Sequence, residues 1–266
     1  MGPRSHAGSE RPRTVGALDA ALRASARPER AEQEKAYLKS SLVHYGVPVP
    51  TIRAQARLAS DLDHDDLLHL VTALWDEPAQ APVHERRMLA AELLKARTDL
   101  LTPDDLALLE RLLRQSRTWA LVDTLAPSVV GPLSERYPSE VEPWLDRWAC
   151  DHDFWLRRSA LLVHLLPLRA GRGDWGRFTR YADALLGDSE FFVRKAIGWV
   201  LRDTGRRRPQ LVLAWVEPRV SLMSGVTVRE AVKPFDPDTR DRLLAAHRAV
   251  GRRSGPRPPL PAPPAS

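Results

Sequence analysis

The sequence predicts an all-α chain built from repeated helix pairs. Three observations carry this prediction. Apolar residues recur at helical spacing from Val15 onward, no segment sustains the alternation of a strand, and the middle of the chain repeats itself at intervals of 36 and 37 residues.

Residues 1–14 combine Gly, Pro, Ser and Arg with little apolar content and are expected to be disordered. Helices are then expected at 15–26, 30–44 and 51–62, the last introduced by Gly46-Val47-Pro48-Val49-Pro50, a stiff turn that ends at Thr51. Segments 65–75 and 83–97 follow. Thr102-Pro103-Asp104-Asp105 supplies an N-cap, a proline at the first helical position and first-turn acids for 103–115. Further helices are expected at 118–136, 139–150, 154–168, 176–186, 190–204, 209–217, 227–233 and 238–250, with short links that favour antiparallel neighbours. One repeat domain therefore covers 15–250. The Pro- and Arg-rich stretch 251–266 cannot pack as a helix and reads as an extended, disordered tail.

The repeat is visible where Trp119-Ala-Leu-Val-Asp123, Trp155-Leu-Arg-Arg-Ser159 and Phe192-Val-Arg-Lys-Ala196 are aligned. A period near 40 with two helices per unit is the signature of a HEAT-like α-solenoid, in which stacked antiparallel helix pairs form a concave surface. Charge suggests what that surface meets. Residues 61–151 carry nine Lys/Arg against eighteen Asp/Glu, whereas 157–208 carry twelve against five, within a chain of net charge +6. A basic region beside an acidic one fits an oriented polyanion-binding face. The chain has 266 residues and 43% hydrophobic content, enough to bury a sizeable core. No apolar run is long enough to span a bilayer and no signal sequence is evident, so an intracellular, cytoplasmic protein is expected. A single cysteine, Cys150, excludes a disulfide framework.

Two helices carry unusual residues away from their core stripes. In 118–136, Leu121, Val122, Leu125 and Val129 form the stripe, while Trp119 and Asp123, four apart, lie one above the other on a different side. In 190–204, Val193, Ala196, Ile197 and Val200 form the stripe, while Phe192, Lys195, Trp199 and Arg202 gather opposite. Cations interleaved with aromatics suit phosphate contact and packing on a sugar or base. Phe192 is better explained as packing against a neighbouring repeat. Arg158 aligns with Lys195 and is expected on the same inner surface, with Arg157 pointing elsewhere into solvent; Arg202 and Arg229 are further phosphate candidates. Arg206-Arg207-Arg208 sits at a helix end, where cations relieve the macrodipole. The eight histidines show no metal-ligand spacing, and there is no Gly-rich phosphate loop or nucleophile elbow. No metal is expected.

Gly46-Val-Pro-Val-Pro-Thr-Ile-Arg53, Thr118-Trp-Ala-Leu-Val-Asp-Thr-Leu-Ala-Pro127, Trp155-Leu-Arg-Arg-Ser-Ala160, Phe191-Phe-Val-Arg-Lys-Ala-Ile-Gly-Trp-Val-Leu-Arg202 and Val228-Arg-Glu-Ala231 resemble the HEAT-repeat DNA alkylation-repair glycosylases of the AlkD type, over roughly residues 30–245. The resemblance implies a monofunctional, cofactor-free, monomeric enzyme. It would remove N3- and N7-alkylated purines, such as 3-methyladenine and 7-methylguanine, from double-stranded DNA without flipping the base. It implies a catalytic cradle of Trp119, Asp123 and Trp199, with Arg158 on the DNA; Lys195, Arg202, Arg229 and Arg53 are further candidate DNA contacts. Thr118 and Ala120 depart from the family's usual aromatic and acid. The alternative is a non-catalytic HEAT-like module that binds DNA or protein.

Overall fold

The computed structural model describes residues 14–58 and 61–253, so the expected N-terminal extension and most of the Pro-rich tail lie outside the described residues. Sixteen α-helices are found among the described residues: α1 (Val15–Ala24), α2 (Pro28–Leu38), α3 (Val49–Leu58), α4 (His64–Asp76), α5 (His84–Ala96), α6 (Leu106–Gln115), α7 (Trp119–Leu125), α8 (Gly131–Arg136), α9 (Pro138–Ala149), α10 (Phe154–Leu162), α11 (Leu165–Arg169), α12 (Trp175–Ala184), α13 (Phe191–Gly205), α14 (Pro209–Val216), α15 (Gly225–Ala231) and α16 (Pro237–Arg253). Among those residues there is no strand beyond one isolated bridge, Val43 to Val83. The all-α prediction holds. No described helix is long and apolar enough to cross a membrane.

Boundaries moved where local chemistry overrides periodicity. The helix expected over 30–44 stops at Leu38, because Lys39 turns left-handed (φ 49°) and the chain makes a turn through Gly46 (φ 77°). A Cβ at Gly46 would stand 2.2 Å from the Arg27 carbonyl oxygen, so only glycine fits that approach to α2. The segment 118–136 is interrupted by a π-turn at Ala126–Val130. Segment 154–168 breaks into α10 and α11. At the other end α16 runs on to Arg253, past the expected boundary at 250. Caps are where the sequence put them: Thr102 and Asp105 form a capping box ahead of α6, with the Asp105 carboxylate accepting the Thr102 N–H at 2.8 Å.

The chain forms two compact units, Met1–Val163 and His164–Ser266. In the first, α5 packs against α3, α4 and α7. Every residue of α5 from His84 to Leu94 is buried, although the sequence there reads His-Glu-Arg-Arg. Its charges serve as ties. Glu85 accepts the N–H groups of Tyr45, Gly46 and Val47; Arg86 donates to the Ala73 and Leu74 carbonyls near the C-terminus of α4; Arg87 donates to Trp75 and Gln115 carbonyls. Orphan carbonyls at helix ends are thereby satisfied by guanidinium N–H groups.

In both units polar side chains join residues separated by similar intervals, from 33 positions (Thr227 to Arg194) to 41 (His64 to Asp105). In the second unit α13 packs against α11, α14 and α15. Gly198 lies at the α13–α15 contact, where a Cβ would meet Glu230 Cβ at 2.7 Å and the Thr227 carbonyl oxygen at 2.8 Å. One obstacle is backbone, so α15 must shift. Gly198→Ala is expected to cost about 1–3 kcal/mol by overpacking, read from chemical denaturation.

His164, 5% exposed, is packed beside Phe178 and Tyr181. Burial, aided by Arg177, pushes its pKa down to about 4, against about 6.5 in an unfolded chain. The unfolded chain therefore takes up the proton first as pH falls. The neutral ring contributes its full stability above pH 6.5 and loses it progressively toward pH 4. Across that window wild type should lose about 3 kcal/mol more than His164→Leu. Denaturant midpoints at pH 7 and pH 4.5 check this, and equal losses would contradict it.

Candidate functional site

In the first unit the site is built on α7. Arg117 adopts a left-handed conformation (φ 53°) that reverses the chain after α6, and Thr118 is extended as the N-cap. A non-glycine residue held at positive φ is uncommon and costs energy that the surrounding structure must offset. α7 then buries Leu121, Val122 and Leu125 completely or nearly so, leaving Trp119 and Asp123 partly accessible on a different side. Pro127 stands four residues after Asp123. It has no N–H to return to the Asp123 carbonyl, and its ring crowds that carbonyl, so the chain widens into the π-turn. The irregularity thus begins immediately after the helical turn that presents the acid.

The Asp123 carboxylate is gripped by Arg158 from α10. Nε reaches Oδ1 at 2.9 Å and Nη2 reaches Oδ2 at 2.9 Å, the parallel fork-on-carboxylate geometry of the stronger charge-assisted pairs. Arg158 is 2% exposed at its side chain and Asp123 15%. The guanidinium expected to reach phosphate is thus engaged inside the protein, with the carboxylate at the surface edge. Of the adjacent arginines it is Arg158 that is buried, while Arg157 donates to the Asp151 and His152 carbonyls at 2.7 and 2.9 Å. Beside Asp123, the Trp119 indole stands edge-on to Tyr37 of α2, with centroids 5.7 Å apart and planes at 87°. Tyr37 is 73% exposed. No local signal points to it, because its partner lies 82 positions away in the chain.

Arg53 of α3 ion-pairs with the buried Glu92 at 2.9 Å and keeps about half its side chain exposed. In the second unit, Trp199 is half-buried and donates its indole N–H to Asp203 Oδ2 at 3.2 Å. Asp203 is 2% exposed and also receives Arg202 Nε at 3.1 Å and an N–H of Arg169. This carboxylate escaped notice in the sequence, yet its spacing gives a signal: Trp199-x-x-x-Asp203 repeats Trp119-x-x-x-Asp123. Arg202 further pairs with Glu230. Burial pushes the Glu230 carboxyl up, but Lys233 and Arg202 outweigh it and hold it below the usual range. Lys195 is exposed, its ammonium 5.7 Å from the ring of the exposed Phe191; Phe192 is half-buried, edge-on to Phe191. Arg229 is exposed on α15. Arg207 and Arg208 donate to the Ala170 and Arg172 carbonyls, tying protein backbone one period away.

Chemically, Trp119 and Asp123 offer an indole and an oriented carboxylate edge, suited to contacting a positively charged group. Lys195 and Arg229 offer exposed cations suited to phosphate. Residues 18–235 match the protein family described as DNA alkylation repair enzyme. Among solved structures, a predicted DNA alkylation repair enzyme from Enterococcus faecalis is similar in fold, with a TM-score of 0.70 and 22% identity over 80% of this chain and 98% of that one. A search of curated proteins found no match. Since the family match extends over most of the sequence, the chain belongs to the DNA alkylation repair enzyme family.

Proposed function

We propose that the protein is a monofunctional alkylpurine DNA glycosylase. It hydrolyses the N-glycosidic bond of N3- or N7-alkylated purines in duplex DNA, acting as a monomer from the sugar side without base flipping. The observation that carries this reading is the Asp123 carboxylate, fixed by Arg158 beside Trp119 at the surface edge of α7.

Alkylation at N3 or N7 makes the purine cationic, so the base leaves without strong acid catalysis. Departure leaves an oxocarbenium-like deoxyribose, as in other glycosidic hydrolyses. A carboxylate already oriented toward that charge stabilises it without reorganising, and can hold the attacking water. The bidentate grip of Arg158 supplies the orientation. Trp119 would add a cation–π contact on the order of 1 kcal/mol to the charged sugar, and Trp199 is proposed as a further catalytic aromatic. Asp203 acts on Trp199 as a positioning residue through the indole N–H. Lys195 and Arg229 are assigned to phosphates, with Arg53 and Arg202 as further contacts. The chain's membership of a family of DNA alkylation repair enzymes favours catalysis over simple binding.

Single-turnover release of 7-methylguanine and 3-methyladenine from methylated duplex DNA tests the reading. Asp123→Asn should slow release by about 10²–10³-fold. Trp119→Ala and Trp199→Ala should each slow it with less effect on duplex affinity. Equal, negligible release by wild type and Asp123→Asn, together with tight salt-dependent binding, would replace the enzyme by a binding module.

Phosphate contact has its own signature. Lys195→Ala should weaken duplex binding at every sequence and reduce the slope of log K against log salt by about 0.9. An unchanged slope would remove Lys195 from the interface.

A further inference from the structure

A second cluster of functional groups lies in the first unit, where α2, the turn through Gly46 and α5 meet. Glu34, His44 and Glu85 each offer one donor atom, and these atoms all lie within 4.8 Å of one another. Both ring nitrogens of His44 and Oε2 of Glu34 are buried with no hydrogen-bond partner. Oε1 of Glu34 meets only a long contact from Arg30, at 3.4 Å. Glu85 is fully buried; its Oε1 is taken by the Tyr45, Gly46 and Val47 N–H groups, whereas Oε2 receives only the shared Tyr45 N–H at 3.0 Å. Against His44 stacks His84, centroids 4.6 Å apart and planes at 11°, 3% exposed and with Nδ1 also unpartnered.

Buried polar atoms without partners are rare in a folded protein, and each calls for an explanation, a bound ion among them. Two carboxylates brought together repel each other unless a positive charge sits between them. Arg30 pairs with Glu34 Oε1 by a single 3.4 Å contact from a side chain that is 42% exposed, and leaves Oε2 of Glu34 without a partner. A divalent ion would cancel both charges and give Glu34 Oε2 and one His44 nitrogen the partner each lacks.

We propose that Glu34, His44 and Glu85 form a structural zinc-type site. One imidazole and two carboxylates are a donor set that Zn²⁺ accepts, with water completing the tetrahedron. Bonds of about 2.1 Å place tetrahedral ligands about 3.4 Å apart, so the three side chains need close only slightly on the ion. The ion would clip α2 to α5 across the turn that Glu85 already holds by its backbone. The site uses none of the groups assigned to glycosylase chemistry, so it stands whether or not that assignment does.

The test uses the full chain, stripped with EDTA and then titrated with Zn²⁺ alone. Calorimetry and elemental analysis should find one ion per chain. At a hundredfold excess over Kd the melting temperature should rise by about 5–10 °C. Glu34→Gln and His44→Leu leave the Glu85 backbone contacts in place and should each abolish uptake and the zinc-dependent rise. His64→Ala, which alters the exposed cluster with Asp65, should keep both. Absence of uptake at 100-fold molar excess would overturn the proposal. So would uptake that survives both cluster variants, which would place zinc on surface histidines. Loss of stability in the variants that is the same with and without zinc would show a direct Glu34–His44 contact instead.

Discussion

The contact between Asp123 and Arg158 is where scaffold and candidate chemistry meet. It joins helices 35 positions apart, one period of the repeat, and it is bidentate and largely withdrawn from water. Removing either partner would take away the bidentate contact that fixes the orientation of the other. A fork on a carboxylate fixes the plane of both groups, which an ammonium could not do. The direction in which Asp123 presents its exposed edge is therefore set by α10, not by α7 alone.

That pair belongs to a wider pattern. Helix pairs in this chain are held by apolar stripes, but charged side chains set their register. Arg97 and Arg136 donate to the Leu62 and Leu101 carbonyls, each 35 positions back. Arg114 takes both Glu110 in its own helix and Asp151 in the next repeat, which raises the arginine and holds the Asp151 carboxyl low. Much of the chain's arginine is spent internally in this way. Lys195 and Arg229, by contrast, stay exposed.

Helix existence was legible because the apolar period and the caps agree at most positions. Thr102-Pro103-Asp104-Asp105 caps as read, and the stripe Leu121, Val122, Leu125 is buried as read. His84-Glu85-Arg86-Arg87 would ordinarily face solvent, yet it forms the middle of the first unit, because each of its charges finds a backbone partner that no local rule supplies.

By itself the sequence determined the all-α class and the pairing of Trp119 with Asp123 on one helix face, since both follow from spacing within a segment. The family follows from motif order along the chain. Only the tertiary structure decided that Arg158 turns inward to the acid, that Tyr37 stands against Trp119, that Asp203 holds the Trp199 indole within its own unit, and that Glu34, His44 and Glu85 converge. Those outcomes depend on which side chain wins a partner in three dimensions, and that competition between burial cost and hydrogen bonding is settled by packing, not by periodicity.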